Sequence, residues 1–159
     1  MKIIIVAIVL AFLLSLSLSP AVSAAPSVSA ETVSEQIRKA APTAFGYVDN
    51  TEYYMQYYFH GLLFVDDSCI VISAESTNFN EFGVFHVKNT ADAKRCEKQL
   101  KAYLSESEAR FRSGVVYDID QYPKFENATV CTIDNFVFYM ILEPSQIEVA
   151  SRAVSNFLK

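Results

Sequence analysis

The chain has 159 residues, enough for one globular core once an apparent export segment is set aside. Its 18 acidic against 13 basic side chains give a net charge of −5, with no arginine-rich stretch. That balance argues against nucleic acid and against anionic lipid surfaces as partners.

The first residues have the three parts of a secretory signal. Met1-Lys2 supplies a positive charge, Ile3 to Leu18 an apolar core, and Ala21 to Ala25 small residues suited to cleavage after Ala24. An uncleaved N-terminal anchor is the runner-up, and the small-residue run argues against it. The first cysteine is Cys69, so none sits at the cut to carry lipid. Past Ala25 no apolar run reaches the roughly 18 residues that a membrane span needs. The expected organisation is a signal peptide over 1–24, a short tether over 25–30 and one secreted, extracytoplasmic domain over 31–159.

Within that domain, Thr32 to Glu35 reads as a capping box opening a short helix with Val33, Ile37 and Ala40 inward, ended before Pro42. Phe45 to Asp49 reads as a connection. A second short helix follows Asp49-Asn50, and Tyr53, Tyr54, Tyr57, Tyr58 and Phe59 crowd it. Their spacing gives a broad aromatic face. Half of these rings can pack inward with hydroxyls at the rim, or the outer rings can form a platform for sugars or a partner protein.

Asp66-Asp67-Ser68 reads as a turn, and Cys69 to Ser73 as a buried strand. Glu81 to Val87 alternates as a second strand, with Phe82, Val84 and His86 on one face and Gly83, Phe85 and Val87 on the other. Asn89 or Thr90 can then cap a long helix. Ala93, Cys96, Leu100, Tyr103, Leu104 and Phe111 form its apolar stripe, and Ser113-Gly114 its stop. The pairs Glu97–Lys101, Glu106–Arg110 and Glu108–Arg112 mark its wet face.

Val115 to Glu126 reads as a long connection, a length that more often carries function. Asn127 to Ile133 and Phe136 to Leu142 read as a hairpin bent at Asp134-Asn135. Ser145 to Glu148 reads as a capping box for a terminal helix. Two hairpins joined by a long helix predict an α+β fold: a four-stranded antiparallel sheet with helices packed mainly on one face. Cys69, Cys96 and Cys131 read as small buried hydrophobes. A Cys69–Cys131 disulfide is the alternative, should those strands be neighbours.

Several of these residues carry a family resemblance. Glu81, Val84 to Lys88, Ala93 to Arg112, Tyr117, Asn127-Ala128 and Asp134-Asn135-Phe136 follow one pattern. In it an acidic residue opens a strand, a charged helix follows, then a tyrosine, an Asn-Ala pair and a polar bend. The chain thereby resembles the domain-of-unknown-function family numbered 4358, small exported proteins of low-GC Gram-positive bacteria, many of them lipoproteins. It departs from the pattern at Ile119, where proline is common, at the bend, where glycine is usual, and in lacking the lipid-bearing cysteine. The resemblance implies an exported α+β domain and brings no activity with it.

No reactive motif stands out. There is no G-x-S-x-G elbow, no paired Cys-x-x-Cys spacing and no two histidines four apart. Neither a metal site nor a cofactor is expected, and no catalytic residue is named. The expected function is a non-catalytic binding or accessory domain of the cell envelope, with an envelope component or a protein as partner. Its expected working surface is Tyr117, Asp120, Tyr122, Glu126 and Asn127. One alternative is an exported hydrolase using His86 or His60 with nearby carboxylates. Another is a structural domain that docks a partner through Tyr53, Tyr54, Tyr57 and Tyr58.

Overall fold

The computed structural model describes residues 28–115 and 118–159. The signal peptide and the first half of the tether lie outside these residues. Ser29 caps the first helix, α1 (Ala30–Ala40), its side chain and that of Thr32 satisfying each other's backbone amides. The cap is therefore three residues earlier than Thr32, because Ala30 and Val33 are both needed on the buried stripe. After Pro42 a three-residue strand, β1 (Tyr47–Asp49), is followed by α2 (Thr51–Tyr57). Then come β2 (Val65–Ser73), β3 (Glu81–Val87) and the long helix α3 (Thr90–Arg110). Asn89 caps α3 by accepting the Asp92 amide at 3.0 Å, and Gly114, at φ +79°, ends the turn beyond it.

The connection after Gly114 is not bare loop. It holds a single 3₁₀ turn (Ile119–Gln121) and a short helix, α4 (Tyr122–Glu126), which Pro123 helps to start. The hairpin β4 (Thr129–Ile133) and β5 (Phe136–Ile141) turns at Asp134, whose φ is +51°. The last helix, α5 (Pro144–Phe157), is capped by Glu143 with Gln146, two residues before the expected Ser145. Pro144 has no amide to cap and fits the first helical position.

The architecture is α+β with an antiparallel sheet, but of five strands in the order β1-β2-β3-β5-β4. The fifth strand is β1. Three residues are too few to show a period of two, and only pairing with β2 (Tyr47 opposite Ser73) makes them a strand. Asp66 and Asp67 lie inside β2 at an irregularity of register rather than in a turn. There Asp66 pairs with Lys88 at 3.2 Å, and Asp67 accepts the Ala30 amide at 2.7 Å.

Helices cover both faces, not mainly one. On the first face α1 and α5 pack over Cys69, Val71, Phe82, Val84, Phe138 and Met140. On the second, α2 and α3 pack over Ile70, Phe85, Val87, Val137, Tyr139 and Ile141. Strand β5 is buried at every step and β3 from Phe82 to Phe85, so a single helical layer would leave half of these side chains in water. The helix stripe from Ala93 to Phe111 is buried as its spacing requires. Glu97–Lys101 and Glu108–Arg112 form ion pairs, whereas Arg110 donates to Ser107 Oγ at 3.0 Å instead of meeting Glu106.

The three cysteines are free. Cys69 pairs with Val84, Val84 with Phe138 and Phe138 with Cys131, so β3 and β5 stand between the two cysteines. Three strand spacings amount to about 14 Å, twice the reach of a disulfide. A thiol titration of the unfolded protein is expected to return all three thiols. A count of one would restore the bridge.

Gly83 pairs with Tyr139 across β3 and β5. A Cβ at Gly83 would lie 2.5 Å from Tyr139 Cε1, in a wholly buried ring that cannot swing away. Gly83→Ala is therefore expected to cost about 1–3 kcal/mol by urea unfolding. A neutral effect would show that the ring has somewhere to go.

Candidate functional site

Glu81 is the first residue of β3 and projects on the face it shares with Gly83, Phe85 and Val87. Tyr54 of α2 donates to its Oε2 at 2.6 Å. Tyr103 of α3 and Tyr139 of β5 both donate to Oε1 at 2.7 Å. Three separate elements thus spend their tyrosine protons on one carboxylate. Burial raises the pKa of Glu81, while the three hydroxyls and the nearby Arg110 charge pull it down. Burial and the Glu81 charge push all three tyrosines well above their ordinary range. The Arg110 guanidinium lies over the Tyr58 ring, 5.6 Å from its centroid, and Tyr58 in turn packs on Tyr54 and Tyr103.

Glu81 is half-buried as a residue because it also lines a cleft of about 220 Å³. Its walls come from Tyr54, the β2–β3 loop (Glu75, Ser76, Asn78, Phe79, Asn80) and Phe125 of α4. The α4 side is fastened to the loop by three contacts. Gln121 Oε1 accepts the Phe79 amide at 3.2 Å, and Lys124 Nζ donates to Asn78 Oδ1 at 2.8 Å. Phe125 packs on Phe79 and Phe111. Lys124 is almost wholly buried, and that burial lowers its pKa against the pull of Glu143, 3.4 Å away.

Asn80 is only 2% exposed, and its neighbours fix which way its amide faces. Tyr47 spends its one proton on the Ala41 carbonyl, so it must accept from Asn80 Nδ2 at 3.4 Å. Gln146 Oε1 accepts the Glu143 amide, so it too must accept from Asn80 Nδ2, at 3.2 Å. The Oδ1 atom is itself buried and has no partner among the described residues. An orphan acceptor of this kind is uncommon in a folded interior.

The expected working-surface residues are not gathered in this cleft. Tyr122 packs on Phe111, accepts from Arg112 Nε at 2.6 Å and donates to Glu108 at 3.3 Å. Asn127 closes the end of α4 by donating to the Pro123 carbonyl at 2.8 Å. Asp120 is exposed in the 3₁₀ turn, and Glu126 lines a separate shallow groove beside Lys101 and Glu108. Tyr117 lies outside the described residues. What their segment does contribute is Gln121, Lys124 and Phe125.

The aromatic helix divides. Tyr54 is 9% exposed and committed to Glu81, while Tyr53, Tyr57 and Tyr58 are 49%, 58% and 41% exposed. Tyr53 and Tyr57 lie with ring centroids 4.7 Å apart. His60 is exposed, and His86 is half-buried against the Phe136 ring at 4.8 Å. Among the described residues neither histidine pairs with a carboxylate within 4.0 Å, although Asp67 is the cross-strand partner of His86.

Elsewhere, Glu31, Asp49 and Cys69 bring potential metal-ligand atoms within 4.8 Å of one another. The cluster is already satisfied from within. Cys69 donates to Glu31 at 2.8 Å, and Arg38 pairs with Glu31 at 3.1 Å. Burial, with the carboxylate that accepts its proton, pushes the Cys69 thiol up to about 12. A cation would have to displace both the thiol proton and the guanidinium.

A family model described as a domain of unknown function, DUF4358, matches residues 63–142, half of the chain. The match begins one strand before Glu81 and runs from β2 through β5. It includes Glu81, Tyr103 and Tyr139, but not Tyr54 or the helices α1 and α5. No curated protein and no solved structure matches the chain.

The Glu81 cluster carries a pH signature. A carboxyl whose folded pKa is raised holds its proton more tightly in the folded state, so its stabilising contribution is complete below the ordinary 4.5. That contribution is lost as pH rises through the folded value. Glu81→Gln keeps the shape but offers one acceptor oxygen to three donors, stranding a hydroxyl at a cost of about 1–3 kcal/mol. The stability gap between wild type and Glu81→Gln is expected to be widest at acid pH and to narrow as pH rises. A gap that widens with pH would mean that Glu81 is ionised more easily folded than unfolded.

Proposed function

The chain belongs to the DUF4358 family, and from the chemistry of its cleft we propose that it is a non-catalytic binding domain of the bacterial cell envelope. It acts outside the cytoplasm, exported by the signal over residues 1–24. The observation that carries this reading is the cleft beside Glu81. It is concave, walled by aromatic rings, and supplied with a few fixed polar groups, the usual make-up of a small-ligand site. Its two rims are fastened to each other by Gln121 and Lys124, so little ordering is left for a ligand to induce.

The commitment of Glu81 to three hydroxyls supports binding over turnover, since a carboxylate so engaged is poorly placed to move a substrate proton. No helix among the described residues is long and apolar enough to cross a membrane. The charge of −5 supports a partner that is neither nucleic acid nor an anionic lipid surface.

A second reading rests on the outer rings of α2. Tyr53, Tyr57 and Tyr58 stand exposed and in mutual contact, an arrangement suited to docking a protein partner.

The two readings separate in one experiment, using the chain from Ala25 onward, which contains every described element. It is expected to be retained on cell-wall fragments or envelope extracts. Ser76, exposed on the cleft rim, can be changed to tryptophan to fill the cleft without touching the core. Ser76→Trp is expected to abolish retention with an unchanged Tm, and Tyr57→Ser to leave it intact. The reverse pattern would move the working surface to α2, and no retention of wild type would sink the proposal.

A further inference from the structure

We propose that the open edge of β4 pairs with β4 of a second copy of this chain, antiparallel about a two-fold axis at Cys131. The inference goes beyond ligand binding and uses none of the cleft residues. It follows from which backbone groups the sheet leaves free and from the charges that flank them.

The sheet has two edges, β1 and β4, and they differ. β1 is blunted by its length of three residues and by the exposed charge of Asp49 at its end. β4, Thr-Val-Cys-Thr-Ile, carries no charge, proline or glycine, and its β-branched residues favour pairing. Among the described residues no strand pairs with its outer side. An edge without any such device is a template for another strand.

The register shows which groups are free. The Val87 amide donates to the Asn135 carbonyl at 2.9 Å, so the odd-numbered residues of β5 turn their backbone groups toward β3 and the even-numbered ones toward β4. Phe136, Phe138 and Met140 therefore take up the backbone of Ile133, Cys131 and Thr129. Val130 and Thr132 are left with their amides and carbonyls pointing outward.

A second copy completes them. With Cys131 opposite its own equivalent, Val130 of each copy lies opposite Thr132 of the other, and each such pair exchanges both amide-to-carbonyl bonds. The faces agree as well. Cys131 and Ile133 belong to the α1–α5 face and Val130 to the α2–α3 face, and the two-fold keeps each on its own side, so the two sheets continue as one.

Charge favours the same orientation. α3 runs antiparallel to β4: Glu97 accepts the Thr132 hydroxyl at 3.4 Å, and Lys101 to Glu108 flank Thr129 and Val130. At the Thr132 end, Lys94 and Lys98 are exposed beside Glu97 and form no ion pair among the described residues. At the Val130 end stands Glu126, exposed and likewise without an ion pair among the described residues. The two-fold sets the lysine end of one copy toward the glutamate end of the other, twice over. A foreign strand would have to supply that order of charge, whereas a second copy has it by symmetry.

The test is the mass of the chain from Ala25 onward, kept reduced, by analytical ultracentrifugation across a range of concentrations. A short strand pair is a small interface, so a dimer with Kd on the order of 10–100 µM is expected. Thr132→Pro removes an outward amide, leaves the β5 ladder whole and alters an exposed side chain. It is expected to raise Kd at least about tenfold with an unchanged circular dichroism spectrum. Lys94→Glu with Lys98→Glu, a change confined to the exposed face of α3, is expected to weaken the dimer in the same direction whether or not Thr132→Pro folds. Cys69 and Cys96 are buried, so a short bismaleimide is expected to join the copies through Cys131 and to fail in Cys131→Ser. A monomer at every concentration overturns the proposal. So does a dimer that the folded variants leave intact and that cannot be joined at Cys131, since its interface would lie elsewhere.

Discussion

Three tyrosine hydroxyls meeting on the Glu81 carboxylate form the contact that the rest of this fold is arranged to permit. Tyr54, Tyr103 and Tyr139 come from α2, α3 and β5, and Glu81 from β3, so one buried acid ties four elements at a single point. A carboxylate taken out of water is costly unless its lone pairs are met, and here they are met by neutral donors rather than by a direct ion pair. Arg110 stands near enough to lower the cost by its charge, while its guanidinium is spent on Ser107 and the Tyr58 face. Gly83 is part of the same arrangement. A side chain there would strike the Tyr139 ring and drive its hydroxyl off Glu81.

The sheet is what allows that point to exist in the interior. Strand β5 is buried along its whole length and β3 is buried from Phe82 to Phe85, and helices close both faces. One layer, α1 with α5, packs mainly apolar side chains over Phe82, Val84, Phe138 and Met140. The other, α2 with α3, mixes apolar side chains with tyrosine tips, of which Tyr54 and Tyr103 meet Glu81. The asymmetry explains why the polar cleft opens on the α2–α3 side. The family match over residues 63–142 spans the strands and α3 that build this half, with Tyr54 added from outside it.

The cleft is the consequence of ending the tyrosine cluster at the edge of the β2–β3 loop. Glu81 is the first residue of its strand, so the loop residues before it are drawn to the same place. Asn80 is held there by Tyr47 and Gln146 from the opposite layer, which leaves its carbonyl oxygen unmatched. Asn78 and Phe79 are held from the other side by Lys124 and Gln121.

Much of the fold is set by local pattern. Alternation over Glu81–Val87 and Phe136–Leu142 determined the strands and both of their faces, and the spacing from Ala93 to Phe111 determined the buried stripe of α3. Gly114 fixed the end of that helix because its backbone needs positive φ. These features depend on neighbours a few residues apart, which a sequence displays directly. The same alternation places Glu81 among inward-facing residues, the one trace of the site that the sequence carries. What only the tertiary structure decided depends on partners far along the chain. β1 is a strand because β2 lies beside it, and Cys69 is separated from Cys131 because β3 and β5 come between. The partners of Glu81 sit 27, 22 and 58 residues away, and those of Asn80 sit 33 and 66 away. Hydrogen-bond satisfaction is a property of groups brought together by folding, and no spacing rule along the chain announces it.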